Sequence, residues 1–248
     1  KKYIAKIKER EELLRKRDST YKAMRREKEY YLSLSPDERK EYIKENILEE
    51  AALARKGINT NPNYFTDNNY NVAAVLYRHL NSWKNQFIIT DATCSMYPYL
   101  KQVLMWHALR LIIDRNNAYI FFNDGDGKQL AEKEIGNTGG LHFTDEVSFD
   151  SIITTSWDAQ SFGCSGDAPE NDFEAVLAAA KMNHSDREII LIADNYSDVR
   201  DYELLKEIDV PVRIILCGAE ESINEQYLDL AYHTKGSVHS IEDDLQFM

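Results

Sequence analysis

Cysteine is scarce in this chain: Cys94, Cys164 and Cys217 are the only three among 248 residues. That is too few, and too scattered, for a disulfide framework or a zinc site. No apolar run approaches the roughly 18–20 residues of a membrane-spanning helix, and no internal repeat is present. The glycine-rich stretch 136–140 lacks the Lys-Ser/Thr of a phosphate-binding loop. Asn123-Asp124-Gly125-Asp126-Gly127 hints at a calcium loop. Counted from Asp124, however, the sixth and twelfth positions are Gln129 and Ile135, where an EF-hand needs Gly and Glu. A turn after a strand is expected there, with a role beside a neighbouring ion as the alternative. His107, His142, His184, His233 and His239 show no pairing spacing, so structural or solvent roles are expected for them.

A hydrophobic content of 43% and an aromatic content of 11% suffice for a packed core. The length suits one sizeable α/β domain with an appendage, or two small domains. The chain opens Lys-Lys-Tyr without a methionine, as expected of a mature or trimmed product, so the lack of a signal peptide says nothing about export. Charge is unevenly spread. Residues 1–56 hold 17 basic against 12 acidic residues, a net of +5, and the remainder holds 13 against 30, a net of −17. An acidic body argues against a nucleic-acid surface and suits a cation site. The basic arm reads as a mixed-charge solvated helix.

Residues 1–33 space Ile4, Ile7, Leu13, Leu14, Met24 and Tyr31 for one long amphipathic helix that needs a partner surface. Ser35-Pro36-Asp37-Glu38 reads as a capping box opening a second helix to about Lys56, with Gly57 as its stop. Asparagine-rich residues 57–71 read as a loop or linker. The expected division is therefore a helical arm with linker over 1–71 and an α/β domain over 72–248. In the latter, 86–90, 118–122, 188–193 and 212–217 read as buried strands, 236–241 as a last strand and 141–143 as an edge piece. Helices are expected near 98–114, 147–159, 171–183, 200–208 and 223–234. Continuous apolar strands alternating with helices predict a doubly wound, mostly parallel, Rossmann-like sheet flanked by helices. Cys217 reads as a small core residue.

The most telling stretch is Phe87-Ile-Ile-Thr-Asp91-Ala-Thr93-Cys-Ser95-Met96. A buried strand ending in Asp91 delivers a carboxylate to the rim of the sheet, and Thr93 and Ser95 add two hydroxyls in the same loop. Three hard oxygens suit Mg²⁺, Mn²⁺ or Ca²⁺; the alternative is a strand running into an ordinary helix cap. Asp194 also ends a predicted strand, and ligands of such sheets bind outside the carboxyl ends of the strands. A third segment, Gly163-Cys-Ser-Gly-Asp167-Ala-Pro-Glu170-Asn171, carries two more carboxylates just before a helix.

These three segments resemble the von Willebrand factor A (VWA) domain and its metal-ion-dependent adhesion site (MIDAS). Asp91, Thr93 and Ser95 fill the family's Asp-x-Ser/Thr-x-Ser, followed by its frequent Met at Met96. The second loop is similar to the Asp-Ser-Pro-Glu loop in the A-like domains of integrin β chains. That likeness implies Glu170 on the central metal and Asp167 on a neighbouring ion. Asp194 matches the third-loop Asp. The likeness spans roughly residues 84–245 and extends to a bacterial subset reading Asp-x-Thr-Gly-Ser-Met and Gly-Gly-Asp-x-Pro-Glu-Asn. Cys94 stands where that pattern has Gly, and Cys164-Ser165 replace glycines, so bulk there would tighten or distort the site. The resemblance puts Cys94 and Cys164 on loops converging on one ion. An oxidising compartment would allow a disulfide between them if their Cα atoms fall within about 7 Å; two unpaired thiols are the alternative. A bridge would favour a location outside the cytoplasm, in the periplasm or cell envelope.

The resemblance implies a non-enzymatic, metal-dependent protein-binding module, an adhesion or scaffold domain with Mg²⁺ as the first cation to expect. An acidic residue of a protein partner would complete the metal's shell, while the helical arm would dock on another protein or subunit. No nucleic-acid partner and no membrane span are expected. One alternative is a structural scaffold with a degenerate metal site. A less favoured one is a haloacid-dehalogenase-like phosphatase, which needs a second carboxylate where Thr93 stands.

Overall fold

A computed structural model of the chain describes residues 2–110, 117–163, 169–183, 187–219, 222–241 and 243–247. The apolar runs become β1 (Gln86–Asp91), β2 (Ala118–Phe122), β4 (Glu188–Asp194) and β5 (Val212–Cys217), joined by an edge strand β3 (Leu141–Thr144). The tail supplies β6 (Ser237–His239) and, beyond the expected last strand, a short β7 (Asp244–Gln246). They form one sheet in the order β3-β2-β1-β4-β5-β6-β7. Its five inner strands are parallel and both edges antiparallel. The chain order reverses between β1 and β4, so the crevice at their carboxyl ends is the topological switch point where sheets of this kind take ligands.

Both faces of the sheet are covered, which is why its inner strands read as unbroken apolar runs. On one face Ile88, Ile190, Ile192, Ile215 and Cys217 pack under α5 (Asn71–Arg78), α6 (Tyr97–Arg110) and α7 (Phe149–Gln160). On the other, Phe87, Ile89, Leu191 and Ile214 pack under α8 (Asp172–Met182) and α9 (Glu225–Thr234). The result is a Rossmann-like α/β fold. Among the described residues no helix is long and apolar enough to cross a membrane. Residues 111–114, the expected end of α6, lie outside the described residues. The helix expected over 200–208 is a 3₁₀ turn, Tyr202–Glu207. Ile208 is already extended, which ends the segment there.

The N-terminal third is more helical than its composition suggests. α1 (Lys2–Ser33) is followed by α2 (Pro36–Ile43), capped as expected: Ser35 N–H donates to Glu38 Oε2 at 2.8 Å, and Glu38 N–H to Ser35 Oγ at 3.4 Å. The helix does not stop at Gly57. It continues through a π-helical turn, Lys44–Leu48, into α3 (Glu49–Thr60) and ends at Asn61, with α4 (Tyr64–Asp67) filling the expected loop. Gly57 is there for space, because a Cβ on it would sit 2.1 Å from Tyr64 Cδ2. Ile43, Ile47, Ala51, Ala54 and Phe65 join the core over the α5–α7 face of the sheet.

The end of α1 also packs on the body. Met24 and Tyr31 are buried. Tyr31 meets Trp157 edge-on at 4.9 Å and donates its hydroxyl to Asp150. Lys28 reaches Asp158, Ser161 and the Trp157 carbonyl on and just after α7. Glu27 accepts from both Tyr42 and Tyr97. The arm's last turns thus find their apolar partner within the same chain. The side chains of Ile4, Ile7, Leu13 and Leu14 lie outside the described residues.

Two outcomes are expected. Replacing a helical glycine by alanine ordinarily stabilises by about 0.5–1 kcal/mol. Gly57→Ala should instead destabilise by about 1–3 kcal/mol through the Tyr64 clash, read as a lower urea midpoint; an unchanged midpoint would show that Tyr64 swings aside at no cost. His107 is buried between the Tyr119 hydroxyl (2.6 Å) and the Val147 carbonyl (2.9 Å), and burial lowers its pKa to about 4. The unfolded chain therefore takes up this proton first. The contribution is whole above about pH 6.5 and is lost as pH falls through 4, on the order of 3 kcal/mol. Urea midpoints should fall over that window in the wild type relative to His107→Gln, and parallel pH profiles would refute the assignment.

Candidate metal centre

Asp91 and Asp194 end adjacent parallel strands. Thr90 pairs with Ile192, so Asp194 stands one residue beyond the level of Asp91. Each aspartate turns its chain the same way: Asp91 Oδ1 accepts from Thr93 N–H at 2.7 Å, and Asp194 Oδ1 from Tyr196 N–H at 2.9 Å. These are Asx turns, in which the carboxylate satisfies a backbone donor that the strand can no longer pair. After Asp91 the chain forms a single 3₁₀ turn, Cys94–Met96, anchored by fully buried Met96, and runs into α6 with Pro98 in its first turn. This brings the Thr93 and Ser95 hydroxyls together at 3.1 Å.

The second loop is stitched to both of the others by backbone. Gly163 C=O accepts from Cys94 N–H at 3.1 Å, and a Cβ on Gly163 would lie 2.2 Å from the Ala92 carbonyl oxygen, so only glycine permits the approach. At the loop's far end Glu170 forms a parallel bridge with Val199. Its N–H donates to Asp198 at 3.1 Å and its carbonyl accepts from Arg200 N–H at 2.6 Å. Asp167 and Cys164 lie outside the described residues. Cys94 is disulfide-bonded, and Cys217 is a buried thiol at the end of β5.

Asp91, Glu170 and Asp194 thus come near enough to act on one another's charge, with Thr93 and Ser95 in the Asp91 loop. Asp91 is fully buried, and its pKa is raised by that burial and by the nearby Asp194 carboxylate, against the Thr93 hydrogen bonds. Burial, then Asp91 and Asp172, raise Glu170 well above the ordinary range. Glu170 Oε2 is buried without a hydrogen-bond partner among the described residues. The carboxylates are near enough to repel but not drawn into ligand contact. Among the described residues, His79, His239 and Asp244, elsewhere in the fold, are the set whose ligand atoms all come within 4.8 Å of one another. Two hydroxyls and several carboxylate oxygens form a hard donor set suited to Mg²⁺, Mn²⁺ or Ca²⁺ rather than to softer ions. Orphaned Glu170 Oε2 is the atom such an ion would satisfy.

Other buried carboxylates complete the surroundings, Asp172 and Asp201 among them without a sequence signal. Asp172 is buried with its pKa raised by burial and by Asp91, and it accepts from the Tyr227 hydroxyl at 3.2 Å. Asp201 caps α8 by accepting from Phe173 and Glu174 N–H, while burial pushes its own pKa up to about 6. Asp124 does not line a calcium loop. It is buried in ion pairs with Lys133 and with Arg200 Nη2 (2.9 Å), so cationic side chains already meet it. It stands two residues past the end of β2, in the turn expected there.

Glu170→Gln removes charge from this repelling set. In EDTA it should raise the melting temperature, while abolishing any stabilisation by Mg²⁺; a lower melting temperature in EDTA would mean that the Glu170 charge is already compensated. No protein-family model matches this chain, and no curated protein matches it, so the arrangement of these residues is what speaks for its function.

Proposed function

We propose that the chain is a divalent-cation-dependent protein-binding module of VWA type. In this reading Asp91, Thr93, Ser95 and Glu170 hold a Mg²⁺-class ion, and Asp194 supports it from the adjoining strand end. The single observation that carries the reading is buried, partnerless Glu170 Oε2 in the same crevice as the Asp91–Thr93–Ser95 loop. A helix cap needs one of these side chains; it does not need a second loop carrying a buried carboxylate with an unused oxygen.

When bound, the ion supplies a Lewis-acidic position that a carboxylate can enter. The chain's own residues do the rest. The Thr93 N–H holds the Asp91 carboxylate in place, the Gly163–Cys94 and Glu170–Arg200 backbone bonds keep the loops in register, and the disulfide at Cys94 braces the first loop. Residues 57–248 carry 30 acidic against 13 basic residues, so an acidic partner would be repelled by the body unless the ion were present, and recognition would be metal-dependent. Thr93 stands where a haloacid-dehalogenase-like phosphatase needs its acid/base carboxylate, which favours binding over catalysis.

The test is thermal unfolding with EDTA and with Mg²⁺, followed by water-proton relaxation of the Mn²⁺-loaded chain titrated with acetate as a carboxylate probe. Mg²⁺ at about 100 times its dissociation constant should stabilise the wild type by about 2.7 kcal/mol and leave Asp91→Ala unchanged. Acetate should lower the relaxation enhancement by displacing metal-bound water. No Mg²⁺ effect on the wild type would leave a structural scaffold with a degenerate site as the better reading. Metal binding without an acetate effect would refute the carboxylate-bridging role.

A further inference from the structure

The tail of the sheet holds a second constellation that the strand-end crevice does not use. His239 ends β6 with its ring on the α5 side of the sheet, and His79 directly follows α5. Asp244 Oδ1 lies 2.6 Å from His239 Nδ1, and Asp244 Oδ2 lies 3.1 Å from His79 Nε2. His79 stacks on Trp83 at 4.1 Å, and the two imidazole centroids are 4.6 Å apart. We propose that His79, His239 and Asp244 form a binding site for a borderline transition-metal ion, Zn²⁺ being the first candidate, separate from the strand-end crevice.

The donor set is the first argument. Two imidazoles and a carboxylate suit Zn²⁺ and its neighbours, whereas Mg²⁺ and Ca²⁺ want oxygen alone. One ligand atom from each residue already lies within 4.8 Å of the others. Tetrahedral bonds of about 2.0–2.1 Å put ligand atoms roughly 3.3–3.4 Å apart, close to the 3.1 Å that already separates Asp244 Oδ2 from His79 Nε2. Asp244 sits on the short, exposed edge strand β7.

The surroundings are those of a supported site. His239 Nε2 meets the Ser237 hydroxyl at 2.6 Å. A hydroxyl donates or accepts, so it satisfies His239 whether Nδ1 carries its proton to Asp244 or releases that nitrogen to a metal. Arg78 looks like a competitor, since its Nη2 is 2.5 Å from Asp244 Oδ1. The same guanidinium also donates to the Ser240 and Ile241 carbonyls. It therefore clamps the turn and holds one carboxylate oxygen, an orientation common for ligating carboxylates, and leaves Oδ2 toward His79. Three protein ligands leave a fourth position for water or another ligand. Strands β4 and β5 separate β6 from β1, a spacing of about 14 Å at the ordinary strand separation, so the two sites are distinguishable.

The experiment is a Zn²⁺ titration of the full chain against a competing chelator with Mg²⁺ in excess, which keeps the carboxylate crevice out of the readout. His79→Gln and Asp244→Asn are run beside the wild type, each checked by circular dichroism. The wild type should take up Zn²⁺ stoichiometrically and each variant should bind at least ~100-fold more weakly. Co²⁺ bound to the wild type should show the visible absorption of nitrogen-ligated, low-coordinate cobalt, a readout that survives if a variant fails to fold. Zn²⁺ uptake by the wild type no tighter than by the folded variants, or a Co²⁺ spectrum of all-oxygen ligation, would overturn the proposal. Loss of Zn²⁺ uptake in Asp91→Ala alone would also overturn it by moving the ion to the crevice.

Discussion

Charge repulsion among buried carboxylates at the β1/β4 switch point is the constraint around which the rest of this molecule is arranged. Asp91, Glu170 and Asp172 each carry a raised pKa because burial and one another's charge oppose ionisation. Such a cluster is tolerated only where the backbone is held too firmly to let the charges move apart. Two Asx turns, the Gly163 approach to Ala92 and the Glu170–Val199 bridge supply that restraint. Hydrogen bonds from Thr93 and Tyr227 relieve part of this repulsion at Asp91 and Asp172, and Lys133 and Arg200 meet the neighbouring Asp124.

The helical layer that covers the α5–α7 face connects to this crevice. Glu27 of α1 accepts the hydroxyl of Tyr97, the first residue of α6 after the Asp91 loop. α1 also packs against the Cys94–Met96 turn itself. The end of α1 is thus seated beside the loop that follows Asp91. Farther along the sheet, the C-terminal hairpin is tied back to α5 through Arg78, His79 and Asp244, which gives an otherwise exposed edge strand a polar anchor.

Much of this was legible in the order of residues. Unbroken runs such as Phe87-Ile-Ile and Ile189-Ile-Leu-Ile announce strands covered on both faces, and the capping box at Ser35–Glu38 announces α2, because both signals are local. Strand-end Asp91 and Asp194 follow from the same logic. Gly57 misleads because its role is set by Tyr64, seven residues on, and not by its own backbone preference. The ion pair of Asp124 with Arg200 and the setting of Asp172 beside Tyr227 and Asp91 were not legible, because those partners lie far away in sequence.

By itself, then, the sequence determined the fold class, the strand ends and the hard-oxygen character of the first loop, all of which are matters of periodicity and of neighbours a few residues apart. Only the tertiary structure decided that Glu170 arrives in the crevice with an unused oxygen, that α1 turns its last apolar residues onto its own body, and that His79 and His239 meet across 160 residues at one carboxylate. Those outcomes depend on the parallel crossovers of the sheet and on helices laid over one face, which bring together groups that no spacing along the chain relates.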